Sequence, residues 1–169
     1  MHISRAGEYG VLGLLYLVRQ SPGQPVMIDA VSRDEGIPKS FLAKIFQDLA
    51  KAGVLRSQRG AGGGFLLARL PEQITILEII EAIDGRIALQ RCLGEVPECE
   101  KKDGCALCGL FELAQDRLKE VFSQTSLAEL AKRQAARTAA LRLNRPSAVE
   151  PPVPAQADLE TPIPNPFLG

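Results

Sequence analysis

Four cysteines, Cys92, Cys99, Cys105 and Cys108, stand within seventeen residues in the pattern C-x6-C-x5-C-x2-C, and the chain has no others. Thiols clustered this closely suit a metal centre, because several thiolates can share one metal or one cluster. Gly94, Pro97 and Gly104 lie among them and let the chain wrap around such a centre. Cys105 and Cys108 are spaced i, i+3, so at the start of a helix they would face one side, where the helix N-terminus helps hold thiolate charge. Two metals compete. Structural zinc favours two tight knuckles, and only Cys105–Cys108 is tight here. Iron–sulfur clusters are wider and tolerate longer gaps, so the spacing leans toward a cluster and leaves zinc as the rival. Free thiols or a redox switch are the plainer alternative.

A second set of residues points to a polyanion. Over Lys39–Ala52, Leu42, Ile45, Phe46 and Leu49 fall at i, i+3, i+4, i+7 and predict a buried helical stripe. Ser40, Ala43, Lys44, Gln47 and Lys51 repeat that spacing on another face, with no carboxylate among the five. Ser40, Lys44 and Gln47 could donate to groove acceptors in duplex DNA, and Lys39 and Lys51 could hold phosphates. Downstream, two β-prone runs, Val54–Ser57 and Phe65–Ala68, flank a glycine-rich tip spanning residues 58–64. Arg59 and Gly60 sit at that tip and Arg56 on the run before it, where charge and a bare backbone suit a close approach to DNA. The run lacks the G-K-[ST] ending of a phosphate-binding loop and the strand-then-helix setting of a dinucleotide fold. A cationic face is also what an ordinary solvated helix shows, and winged helices serve as protein-interaction modules too.

These groups need a scaffold to position them. Ser4–Val18 reads as a helix, with Tyr9, Leu12, Tyr16 and Leu17 at helical spacing. Ile28 and Val31 mark a short second helix closed by Gly36. Pro38 opens the polar-faced helix and Gly53 stops it. The expected fold class is mainly α with a small β-wing: a winged helix-turn-helix domain plus a long dimerisation helix. A capping box at Thr75–Glu78 opens a helix that ends at Asp84-Gly85, and a second box begins at Ser126. Between them, Leu107, Leu110, Phe111, Ala114, Leu118, Val121 and Phe122 form one long apolar stripe, which could fold back on the domain or pair with a second copy. The expected organisation is a DNA-binding domain over 1–85, a cysteine-rich cluster-binding loop over 86–108, the dimerisation helix and a following helix over 109–143, and a tail over 144–169. That tail holds seven of the twelve prolines and few large apolar residues, which predicts disorder.

The 169 residues carry a formal net charge of +0. Residues 1–70 nevertheless hold nine Lys/Arg against five acids, an excess of +4 that suits a polyanion-binding head. No apolar run approaches the roughly 18–20 residues of a membrane span. Val11–Val18 is short and lies too near the start for a usual signal peptide. A cytoplasmic protein follows as the expectation, and a reducing compartment disfavours structural disulfides. His2 is the only histidine, and no nucleophile-and-base or paired acid/base set stands out, so an enzyme is not expected.

Several stretches resemble the Rrf2 family of bacterial regulators: Gly36–Leu42, Gly53–Leu55, Arg59–Ala68, Met1–Ser4, Ile74–Ile80 and Thr125–Leu130. The resemblance covers residues 1 to about 131 and is nearest to the family's iron–sulfur regulators. It implies a homodimer, paired through the long helix, on a partly palindromic double-stranded DNA operator. It implies an iron–sulfur cluster of the 2Fe-2S type, with 4Fe-4S as the alternative. Cys92, Cys99 and Cys105 match the family's loop ligands, with the first gap one residue longer. Cys108 stands where one branch has a histidine ligand. Glu8 stands near the acidic ligand that another branch takes from the partner subunit. The assignment favoured here is Cys108. Ser40 and Arg59 match DNA-contact positions, whereas Ala43 replaces a glutamate that discriminates between sequences, so the operator is expected to differ or to be read more loosely. The expected function is a transcriptional regulator whose operator binding is controlled by a cluster sensing redox state, nitric oxide or iron and cluster status. The alternative is a cluster-free or zinc-bound member of the family that senses through a partner protein or thiol oxidation.

Overall fold

In the computed structural model, residues 3–60, 62–94, 99 and 104–143 are described. The tail over 144–169, Met1, His2, Ala61 and Pro97 lie outside them, and with them the expectation of a disordered tail. Helix α1 (Arg5–Val18) starts at Ser4, whose Oγ accepts from the Gly7 amide at 3.1 Å. The Ser4 amide donates to Asp84 Oδ2 at 3.0 Å, which pins the start of α1 to the end of α4 (Ile76–Asp84). Bare backbone on α1 brings its neighbours close. A Cβ on Gly13 would lie 2.7 Å from Phe46 Cε1, and one on Gly10 would collide with Ile83 Cδ1.

Helix α2 (Ile28–Glu35) ends on Gly36, which takes the left-handed conformation at φ 67° that favours glycine. The Tyr16 hydroxyl donates to Asp34 at 2.7 Å and ties α1 to α2. This bond raises the tyrosine pKa and lowers that of the carboxyl. After the turn, α3 (Lys39–Lys51) buries Leu42, Ile45, Phe46 and Leu49, the four positions that the periodicity selects.

Strands β1 (Leu55–Gln58) and β2 (Gly64–Leu67) pair antiparallel with Leu55 opposite Leu67. Each ladder boundary lies one residue from the expected run. The Val54 amide instead closes the turn after α3 by donating to the Leu49 carbonyl at 2.9 Å. Phe65 also exchanges two backbone bonds with Val26, each 2.9 Å, so the segment before α2 adds a bridge to the hairpin. A recognition-type helix followed by this hairpin makes a winged helix-turn-helix.

The Thr75 hydroxyl accepts from the Glu78 amide at 3.2 Å, which is one half of the expected capping box, while the Glu78 carboxylate pairs with Arg69 instead of reaching back. Helices α5 (Ala106–Gln124) and α6 (Leu127–Leu143) follow. Their junction is bonded into the head: the Leu127 amide donates to the Ile74 carbonyl at 2.8 Å, and the Ile76 amide donates to Thr125 at 3.0 Å. Leu127 is fully buried in the same core as Leu14, Leu42, Phe46 and Ile79. Each such side chain contributes roughly 1.5–3 kcal/mol by leaving water.

The apolar stripe of α5 is two stripes. Leu118 and Phe122 pack toward the core and Phe111 is half-buried beside them, while Cys108 and Gln115 are the buried members of that face. Leu107, Leu110 and Val121 are exposed, as are Leu113 and Ala114. Helical spacing alone merged two faces that the tertiary contacts separate.

Candidate DNA interface and thiol site

The polar face of α3 points away from the core. Ser40, Lys44, Gln47 and Lys51 are exposed, and Ala43 is half-buried beside them. Two of the cations already have carboxylate neighbours. Lys39 Nζ lies 2.6 Å from Asp29, and Lys51 Nζ lies 2.9 Å from Asp48. Both pairs are solvent-facing, so phosphates can displace the carboxylates at small cost. Among the described residues, Lys44, Arg56 and Arg59 have no recorded ion pair, and all three are exposed. The helical face as read from sequence omitted Asp48, although its i, i+3 spacing to Lys51 was visible. It also omitted Phe41, which is 61% exposed on the first turn of α3.

The wing is held against this helix. The Phe46 and Phe65 rings meet edge to face with centroids 5.1 Å apart, joining α3 to β2. At the tip, Gly60 has φ 107° and Gly62 has φ 80°, both in the region that favours glycine. The Gly63 amide donates to the Gly60 carbonyl at 2.9 Å and closes the turn beside Arg59. Helix α3 and the wing hairpin are therefore joined through one shared core contact.

Among the described residues, Cys92 and Cys108 come together. Cys92 lies in a 3-10 turn (Arg91–Leu93), Cys108 lies in the first turn of α5, and their sulfurs are 3.5 Å apart. Two thiolates on one metal atom, with 2.3 Å bonds at a tetrahedral angle, lie about 3.8 Å apart, so this pair fits a shared metal. Cys105 is the N-cap residue of α5 and half-buried, and Cys99 is exposed. Among the described residues, no three metal-ligating side chains are gathered at one point. Glu8 is exposed on the first turn of α1.

Two further residues hold the approach to Cys92. Gln115 is buried, and its Oε1 accepts from the Leu89 amide at 3.0 Å. Glu81 accepts from the amide of Ile87, whose side chain is buried in the core. A polar residue inside an apolar face marks a hydrogen bond to be satisfied, but the partner at Leu89 could be found only in three dimensions.

Comparison with known proteins places this arrangement. Residues 3–133 match the family model Rrf2, described as an iron-dependent transcriptional regulator. The chain belongs to the Rrf2 family. As an Rrf2 protein it groups with transcriptional regulators and not with enzymes. It is similar to the HTH-type transcriptional regulator IscR of Xenorhabdus nematophila, at 34% identity over 134 residues, covering 79% of this chain and 81% of that one. IscR of Escherichia coli O1:K1 is 33% identical and is covered to 82%. Among solved structures, the global cysteine regulator CymR of B. subtilis aligns with TM-score 0.65 at 28% identity, covering 79% of this chain and 98% of that one. T. potens IscR aligns with TM-score 0.64 at 28% identity, covering 79% and 88%. No helix among the described residues is long and apolar enough to cross a membrane.

In this Rrf2 protein, Gln115→Leu removes an acceptor from a part-buried amide. The expected loss is about 1–3 kcal/mol of stability, the cost of an unsatisfied buried group. Gln115→Glu keeps an acceptor but places a carboxylate in a buried site, so at neutral pH it should not restore the lost stability. Thermal or denaturant unfolding of the three proteins checks this ordering.

Proposed function

We propose that this Rrf2 protein is a cytoplasmic, homodimeric regulator that binds a partly palindromic DNA operator under control of an iron–sulfur cluster held by Cys92, Cys99, Cys105 and Cys108. The observation that carries the reading is the Cys92–Cys108 contact, because it lies where α5 leaves the head. A bound cluster supplies an inorganic centre that ties its thiolates together. The protein's own residues do the rest. Cys108 and Gln115 fix α5 against the segment that carries Leu89 and Cys92. The bonds of Leu127 to Ile74 and of Ile76 to Thr125 carry the pose of α5 into the stretch between wing and α4.

The domain roles follow the chain order: head over 1–85, thiol loop over 86–108, pairing helices over 109–143. The exposed leucines of α5 support pairing with a second copy, since monomers rarely leave such a row in water. Two recognition helices then meet half-sites about 34 Å apart, and a change in α5 pose alters that spacing. Ser40, Lys44 and Gln47 read base edges. Lys39, Arg56, Arg59 and the Gly60 backbone engage phosphates or the minor groove. With Ala43 in place of an acidic side chain, base selection at that step is looser.

Anaerobic purification of the full chain tests the cofactor. The expected protein is coloured, with iron and sulfide in matching amounts. A colourless protein with full zinc occupancy overturns the cluster and leaves a zinc-bound regulator. Arg59→Ala should weaken operator binding by about 1–3 kcal/mol and lower the salt dependence by about one phosphate contact. Titrations at several salt concentrations measure both. An unchanged affinity and slope would remove Arg59 from the interface.

A further inference from the structure

We infer that Cys92 and Cys108 form a reversible disulfide when the thiol loop holds no metal, making the pair a site of covalent modification by small disulfides. The observation is the 3.5 Å separation of the two sulfurs across sixteen residues of sequence. That is a non-bonded contact, and a bond needs about 2.05 Å. The closing movement is therefore small. It falls on Cys92, which sits in a short 3-10 turn, while Cys108 is held in a nineteen-residue helix.

Access sets the order of events. Cys92 is half-buried, whereas Cys108 is 6% exposed. The Cys92 thiolate attacks one sulfur of a small disulfide R–S–S–R and releases the first R–SH. Cys108 then attacks the Cys92 sulfur of the mixed disulfide and releases the second R–SH. The two protein thiols give up two electrons and two protons in total, and the reagent's S–S bond takes them as it becomes two thiols. The product ties the Arg91–Leu93 turn covalently to the first turn of α5. That is the connection a shared metal would otherwise make, so oxidation keeps α5 fixed to the head after the metal is lost.

Cys99 is exposed, and no group of three ligating side chains includes it among the described residues. Cys92 and Cys108 are in direct contact in the fold itself. The inference concerns the metal-free chain, and its failure would leave the anaerobic spectrum, which tests the cluster, untouched.

The test uses the full chain, stripped of metal with a chelator and exposed to oxidised glutathione. C99S/C105S keeps the contacting pair and spares the buried side chain, and C92S/C108S keeps the other two. Intact mass and thiol counting follow each variant. C99S/C105S is expected to lose two hydrogens and both reactive thiols, on the order of tenfold or more faster than C92S/C108S, because juxtaposed groups react at high effective concentration. A reductant should restore both thiols. Stable glutathione adducts on C99S/C105S without an internal bond would overturn the inference. So would equal rates of internal bonding in the two variants.

Discussion

Leu110→Glu is expected to leave the protein monomeric at micromolar concentration and to cost at least about 100-fold in operator affinity. Leu110 is 60% exposed, and Leu107, Leu113 and Val121 share its outward side of α5. Burial of each leucine by a second copy contributes about 1.5–3 kcal/mol. Two-fold symmetry makes one substitution act twice. A carboxylate left unpaired in an apolar interface adds a further cost of about 3–5 kcal/mol. The sum weakens pairing at least about 1000-fold, at 1.4 kcal/mol for each factor of ten. A monomer holds one half-site and forfeits the avidity of two linked heads, which is worth about 100-fold or more. Sedimentation or light scattering reads the first effect and operator titration the second. Because Leu110 makes little contact within its own chain, thermal unfolding of the monomer should still be cooperative. A variant that remains dimeric would assign the outward face of α5 to something other than self-pairing.

The same helix shows how far local pattern reaches. The start of α1, the Gly36 stop, the buried side of α3 and the capping hydroxyls of Thr75 and Ser126 were legible in the amino acids, because each is decided within one or two turns of chain. The division of α5 into two faces was not. Phe111 and Leu110 are neighbours in sequence and equally apolar, and only the position of the core decides which is covered. The strand ends shifted for a related reason, since the Val54 amide is taken by Leu49 and only its carbonyl is left to accept from Ala68 across the hairpin. At the DNA face, Lys39 and Lys51 were visible as cations, but the Asp29 that pairs with Lys39 comes from α2 and required the fold. Among the thiols, spacing singled out Cys105–Cys108 as the tight pair, whereas the Cys92–Cys108 contact, set by where the Arg91–Leu93 turn meets α5, required the fold. Gln115 carried a signal in its place on an apolar face, and its role depended on an amide twenty-six residues away.

Cys108→Ala should abolish the colour of the anaerobically purified protein and lower its iron and sulfide content by at least about tenfold, whereas Glu8→Gln should leave both unchanged. The geometry within one chain supports Cys108 as the fourth ligand. Cys108 is buried in contact with Cys92, at a separation two thiolates on one metal atom can take. Glu8 is exposed on α1 and, among the described residues, gathers with no other ligating groups in its own chain. A thiolate is also the softer donor, which suits iron–sulfur ligation better than a carboxylate. Truncating Cys108 removes one small buried side chain, so the metal-free variant should lose only about 1 kcal/mol of stability. Unfolding of the metal-free proteins therefore separates a lost ligand from a damaged fold. The operator response should follow the metal content: Glu8→Gln should still distinguish loaded from stripped protein, and Cys108→Ala should bind identically before and after chelation. Iron retained by Cys108→Ala but lost from Glu8→Gln would move the fourth ligand to a partner's α1, and would make the centre a bridge between subunits instead of a clasp within one.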